Sequence, residues 1–116
     1  MQDFRDLKVW EKSHQFVLSV YGATSSFPRE EMYGLTSQLR RAAVSVTTNI
    51  AEDCGRGTDL DFARFLQIAI GSACESEYLL LLSRDLKYLA QERYQACASS
   101  VTEVSACFPH CFKLSG

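Results

Sequence analysis

Glu11 and His14 stand three residues apart, the Glu-x-x-His spacing with which helical bundles hold di-iron centres. Such a centre needs a second copy of the motif, yet the only other histidine, His110, has Cys107 three residues before it. A surface glutamate beside an edge histidine is the reading of this pair. Cys107, His110 and Cys111 offer soft donors at close spacing that would suit zinc. The nearest fourth donor, Cys97, is ten helical residues away from Cys107, about 15 Å, so unligated thiols are expected and neither metal nor cofactor is assigned. The remaining Ser, Cys and His residues are too scattered to pair a nucleophile with a base, and no catalytic residue is assigned. Gly55-Arg56-Gly57 follows an expected helix and not a strand, which is the wrong context for a phosphate loop and the right one for a helix end.

The other polar candidates lie in helical register. Arg40 and Arg41 are adjacent, hence about 100° apart on a helix, which argues against a single basic patch. Arg41, Ser45, Glu52 and Arg56 share one polar strip, with Asn49 at its border with the apolar face. Two functions compete for this strip: a structural ladder of local ion pairs, or a surface that recognises phosphate or an acidic partner. Opposite charges three to four residues apart pair locally, which favours the ladder. Glu77 phases with the core side of helix three and needs a partner there, for which Arg40 or Arg41 is expected.

Four amphipathic segments must position these groups within a single domain of residues 1–116. Helix one, about 5–25, is capped by Asp3 or Asp6, with Val9, Trp10, Ser13, Phe16, Val17, Val20, Tyr21 and Thr24 on one face. Ser25, Ser26 and Phe27-Pro28 end it. Helix two, about 30–55, has a core stripe of Leu35, Leu39, Ala42, Ala43, Val46, Asn49 and Ile50. Its opposite face of Ser37, Val44, Thr48 and Ala51 is small enough for another backbone to approach, which makes it a candidate helix contact or oligomer interface. Helix three, about 58–89, has a core stripe of Phe62, Phe65, Leu66, Ala69, Ala73 and Leu80, yet carries apolar residues all round; Ile68, Tyr78, Leu79 and Leu82 are the surplus that points to an oligomer interface. Helix four, about 91–108, turns Tyr94, Cys97, Ala98, Val101, Val104, Ser105 and Phe108 to one side, and Pro109 is expected to end or kink it, leaving 109–116 irregular. Short connections between four such helices imply an all-α, antiparallel up-down-up-down four-helix bundle.

Composition narrows the class further. The chain is 47% hydrophobic with six glycines and two prolines, and no unbroken apolar run reaches the roughly 18 residues of a membrane span. Its first residues lack an apolar signal core, and five irregularly spaced cysteines read as reduced thiols; both point to the cytoplasm. The net charge is −2 and no quarter of the chain is basic in excess, which disfavours strong nonspecific nucleic-acid binding by one subunit. A ring of subunits concentrates a few arginines and escapes that limit.

The segments FRDLKVWEKSHQFVLSVY, FPREEMYGLTSQLRRAAVSVTTNIAEDCGRG and FARFLQIAIGSACESEYLLLLSRDLKYL together resemble the four-helix-bundle proteins encoded in ribosomal-RNA intervening sequences. The accessory variability proteins of diversity-generating retroelements are similar in fold. The resemblance implies a small bacterial cytosolic protein that assembles into a ring-like homopentamer, in a branch with no established enzyme activity. RNA, or a protein that processes nucleic acid, is the implied partner. Thr47 and Thr48 replace a proline and a small residue common in that family, so an unkinked helix two is expected. The function expected is thus a non-enzymatic oligomeric binding or assembly module. The alternatives are a purely structural scaffold without nucleic acid and, more remotely, a small metal-binding protein.

Overall fold

The computed structural model describes the backbone of residues 3–56 and 59–115, and side chains outside 55–62 and 109–115. Four helices account for most of it: α1 (Lys8–Thr24), α2 (Leu35–Arg56), α3 (Asp59–Asp85) and α4 (Gln91–Ser115), with 3-10 turns at Phe4–Asp6 and Arg29–Glu31. No strand occurs among the described residues. Each helix packs on its neighbours in the chain, and α1 closes the cycle against α4. Such a cycle is what an up-down-up-down bundle with short connections produces. The longest dimension, 42 Å, matches one 27-residue helix at about 1.5 Å per residue.

The core follows from the stripes of each helix. Phe16 and Val20 of α1, Leu39, Ala43 and Val46 of α2, Ala69 and Leu80 of α3, and Val101 and Val104 of α4 are wholly buried. Asn49 sits at the border and is half-buried. The buried side of α3 is more polar than its sequence stripe implies, because Ser72, Ser76 and Ser83 lie on it with Leu79. Ser76 and Ser83 donate to carbonyls four residues back, at 2.8 and 2.7 Å, so small hydroxyls enter the core without leaving donors unmet. By composition Ala63–Asp85 is apolar and long enough to cross a membrane, but Leu66, Ala69, Ala73, Leu79 and Leu80 pack it into the core of the bundle.

Local chemistry sets the ends. Asp3 accepts from the Arg5 amide at 3.0 Å and opens the chain's first turn. Hydroxyls of Thr24, Ser25 and Ser26 donate to the carbonyls of Val20, Gly22 and Ala23, satisfying the last turn of α1 before Pro28 redirects the backbone. At the start of α2, Glu31 folds over Gly34, where a Cβ would meet its Oε1 at 2.8 Å, and accepts from the Leu35 amide. The C-terminus of α3 is a Schellman motif: the Lys87 amide bonds the Arg84 carbonyl, the Tyr88 amide bonds the Ser83 carbonyl, and Lys87 takes φ 70° where glycine is usual. As expected, α2 runs without interruption through Thr47 and Thr48. Against expectation, α4 continues six residues past Pro109, to Ser115. A proline removes only its own amide bond to the carbonyl four residues back, and the turns on either side retain theirs.

Candidate functional site

The last turn of α1, the 25–34 connection and the outer face of α2 enclose a groove of 820 Å³. Its walls are Tyr21, Thr24 and Ser25 on one side, Phe27, Arg29, Met32 and Tyr33 at one end, and Thr36, Ser37, Arg40, Arg41, Val44 and Thr48 along α2. Three arginines line the groove and no carboxylate does.

Arg40 is held in place twice. Its Nε donates to Thr24 Oγ1 at 2.7 Å, and its guanidinium lies 4.4 Å from the centroid of the Tyr21 ring. Thr24 is itself fixed, donating to the Val20 carbonyl at 2.7 Å. The terminal nitrogens of Arg40 make no hydrogen bond among the described residues, so a planar fork of donors is oriented and left open. Arg29 and Arg41 are exposed and make no ion pair among those residues. Thr36 is buried, yet its Oγ1 has no hydrogen-bond partner. Tyr33 stands at the lip with 94% of its surface exposed. A second depression of 410 Å³ continues along α2 past Arg41 to Gln38, Ser72 and Glu75.

Several expected roles change. Arg40 and Arg41 share the groove despite their 100° separation, because the groove spans that angle and both side chains reach it. Glu77 is exposed, not core-facing, and partners neither arginine. The true buried stripe of α3 is centred on Ser76 and Leu80, which turns Glu77 outward. Leu79 is core and unavailable to another subunit, and Leu82 is half-buried against the core. Ser37, Val44 and Thr48 line the groove, Ala51 is half-buried, and Ile68 and Tyr78 remain exposed on α3. The Asn49 amide donates to the Ser45 carbonyl and hydroxyl at 2.8 and 3.2 Å, and Ser72 of α3 donates to the same Ser45 hydroxyl at 2.8 Å. Glu52 is exposed, and the Arg56 side chain lies outside the described residues.

The metal candidates do not converge. His14 stacks on Trp10 at 5.1 Å, and the Cys107 thiol donates to the Glu103 carbonyl. The side chains of His110 and Cys111 lie outside the described residues, and among those described no three His, Cys, Asp or Glu side chains cluster. Burial pushes the Cys97 thiol pKa up against the opposing pull of Arg93, which disfavours a thiolate nucleophile there. Beside the groove, Tyr88 donates to Glu31 Oε2 at 3.1 Å, and that bond holds its phenol above the ordinary pKa. The bond ties the 25–34 connection to the α3–α4 connection.

Sequence reasoning missed Tyr21, Thr24, Arg29, Tyr33 and Thr36 as groove residues. Tyr21 and Thr24 fall at the edge of a core stripe, and Arg29 and Tyr33 lie in a connection without a period. The legible signal was an aromatic and an arginine flanking a proline-ended turn.

Residues 5–108 match the family model described as 23S rRNA-intervening sequence protein. Among solved structures, a protein of unknown function from the S23 ribosomal protein family of Bacteroides thetaiotaomicron is 25% identical, with a TM-score of 0.82 over 90% of this chain and 95% of that one. No curated protein matches.

Proposed function

Because the chain belongs to the 23S rRNA-intervening sequence protein family, we propose that it is a non-enzymatic, cytoplasmic binding module that associates with RNA as a homo-oligomer. The observation that carries this reading is the α1–α2 groove: three arginines and no carboxylate line one concavity of a chain whose net charge is −2. Guanidinium forks suit phosphate oxygens, and phosphate contact supplies most of the affinity for nucleic acid. Self-assembly, as the pentamer that the resemblance implies, falls to the exposed apolar face of α3, where Ile68 and Tyr78 are 44% and 59% exposed. The α2 face is then left to the ligand.

Titration of a structured RNA into the purified protein over a salt series tests the RNA contact. Affinity that falls steeply with salt supports it, and no association at low salt leaves the scaffold reading. Light scattering tests assembly, with a mass about five times the 13.0 kDa chain expected and a monomer at micromolar concentration opposed to it.

A further inference from the structure

The RNA reading treats the three arginines of the groove alike, but the fold holds only one of them in place. We propose that Arg40 is the phosphate anchor of the groove and that Thr24 and Tyr21 of α1 are its positioning residues, with Arg29 and Arg41 adding charge from unheld side chains. The inference rests on the RNA reading, which supplies the phosphate, and assigns roles within it.

Arg29 and Arg41 are exposed and make no hydrogen bond or ion pair among the described residues, so a ligand must order their side chains as it binds. Ordering one long side chain at an interface lowers affinity about 2- to 13-fold. In Arg40 the fold has already imposed that order. Its Nε donates to Thr24 Oγ1 at 2.7 Å, and its guanidinium carbon lies 4.4 Å from the centroid of the Tyr21 ring. Thr24 is 3% exposed and gives its own proton to the Val20 carbonyl at 2.7 Å, which leaves its oxygen to accept from Arg40. One edge and one face of the guanidinium are therefore committed to α1. The terminal nitrogens have no hydrogen-bond partner among the described residues and are not among the buried polar atoms that lack one, so they are open to solvent. What remains free is the end of the fork, whose two parallel N–H groups match two oxygens of a phosphate. The chemistry of the holding groups matters as much as their geometry. A carboxylate in place of Thr24 would fix the guanidinium equally well and cancel its charge, whereas a hydroxyl and a phenol ring order it and leave the full charge for a ligand. No carboxylate lines the groove to occupy the fork in the free protein.

The test titrates a short single-stranded RNA into the full chain over a salt series and follows the arginine side chains by nitrogen-15 NMR. Thr24→Val removes the acceptor and keeps every charge, so affinity is expected to fall about 2- to 13-fold while the slope of log K against log salt holds its wild-type value. Thr24→Ser keeps the oxygen and is expected to restore the affinity. Arg40→Lys keeps the charge but loses the fork, and is expected to weaken binding about tenfold or more with the slope again unchanged. In the wild-type protein, RNA is expected to shift the terminal N–H signals of Arg40. A merely structural clamp between α1 and α2 predicts otherwise: Thr24→Val lowers Tm, affinity stays the same, and the Arg40 signals ignore RNA. That result, or a loss of affinity that Thr24→Ser fails to restore, overturns the inference while the RNA reading stands. Poly-glutamate binding as tightly as the RNA, with the same response to Thr24→Val, also overturns it. Failure of the RNA to bind at low salt removes the RNA reading and the inference together.

Discussion

Replacing Arg29 and Arg41 with glutamine removes two of the three groove charges without touching Arg40, whose stacking on Tyr21 and bond to Thr24 help hold α1 to α2. Both targets are exposed and unpaired among the described residues, so stability should change by no more than about 0.5 kcal/mol. The effect on binding is larger. If each arginine neutralises one phosphate of a single strand, log K falls with log salt at a slope of about −2 for the wild type and about −0.7 for the double variant. Carried from a 1 M reference, the two lost contacts weaken binding roughly 65-fold at 50 mM salt and roughly 10-fold at 200 mM. Fluorescence anisotropy of an oligonucleotide short enough to occupy one groove reads both quantities. A slope that stays near −2 in the variant would refute the reasoning, since the phosphates would then be met elsewhere.

Three further outcomes probe the rest of the structure. Lys87→Gly should stabilise the fold by about 0.5–1 kcal/mol in a thermal or urea melt, because relief of the left-handed strain at φ 70° exceeds the entropy glycine adds to the unfolded chain. Tyr88 titrates above its ordinary value of 10.0, so the bond to Glu31 stabilises the fold fully below pH 10 and is lost as pH rises through the higher folded pKa. Tyr88→Phe should therefore lower Tm at neutral pH and narrow its gap to wild type in strong alkali. Ile68→Glu with Tyr78→Glu should abolish the proposed self-assembly in light scattering while circular dichroism keeps its helical signal, since both side chains are exposed in the subunit.

The core was legible where one face of a helix is apolar and the other is not. Leu35, Leu39, Ala42, Ala43, Val46 and Ile50 repeat at the helical period, and all are buried. On α3 the same reasoning lost its phase, because apolar residues surround the helix and three serines sit on the buried side. A serine that bonds its own backbone packs like a small apolar residue, and nothing in its type announces this. That misphasing placed Glu77 inward and Leu79 outward. The groove was illegible for another reason. Angular separation of Cα positions says nothing of how far an arginine reaches, and the concavity depends on what α1 and the 25–34 connection leave uncovered. Arg40 and Arg41 were visible as residues; the neighbours that make them a site, Tyr21, Thr24 and Thr36, were hidden among core and cap positions.

The proposed function puts RNA along the outer face of α2, against α1. Ultraviolet cross-linking of a bound single-stranded RNA, followed by mass spectrometry of the digested protein, locates the contact directly. Adducts on Tyr33 and Tyr21 are the expected result, and adducts confined to α3 and α4 from an RNA that binds at low salt would contradict it.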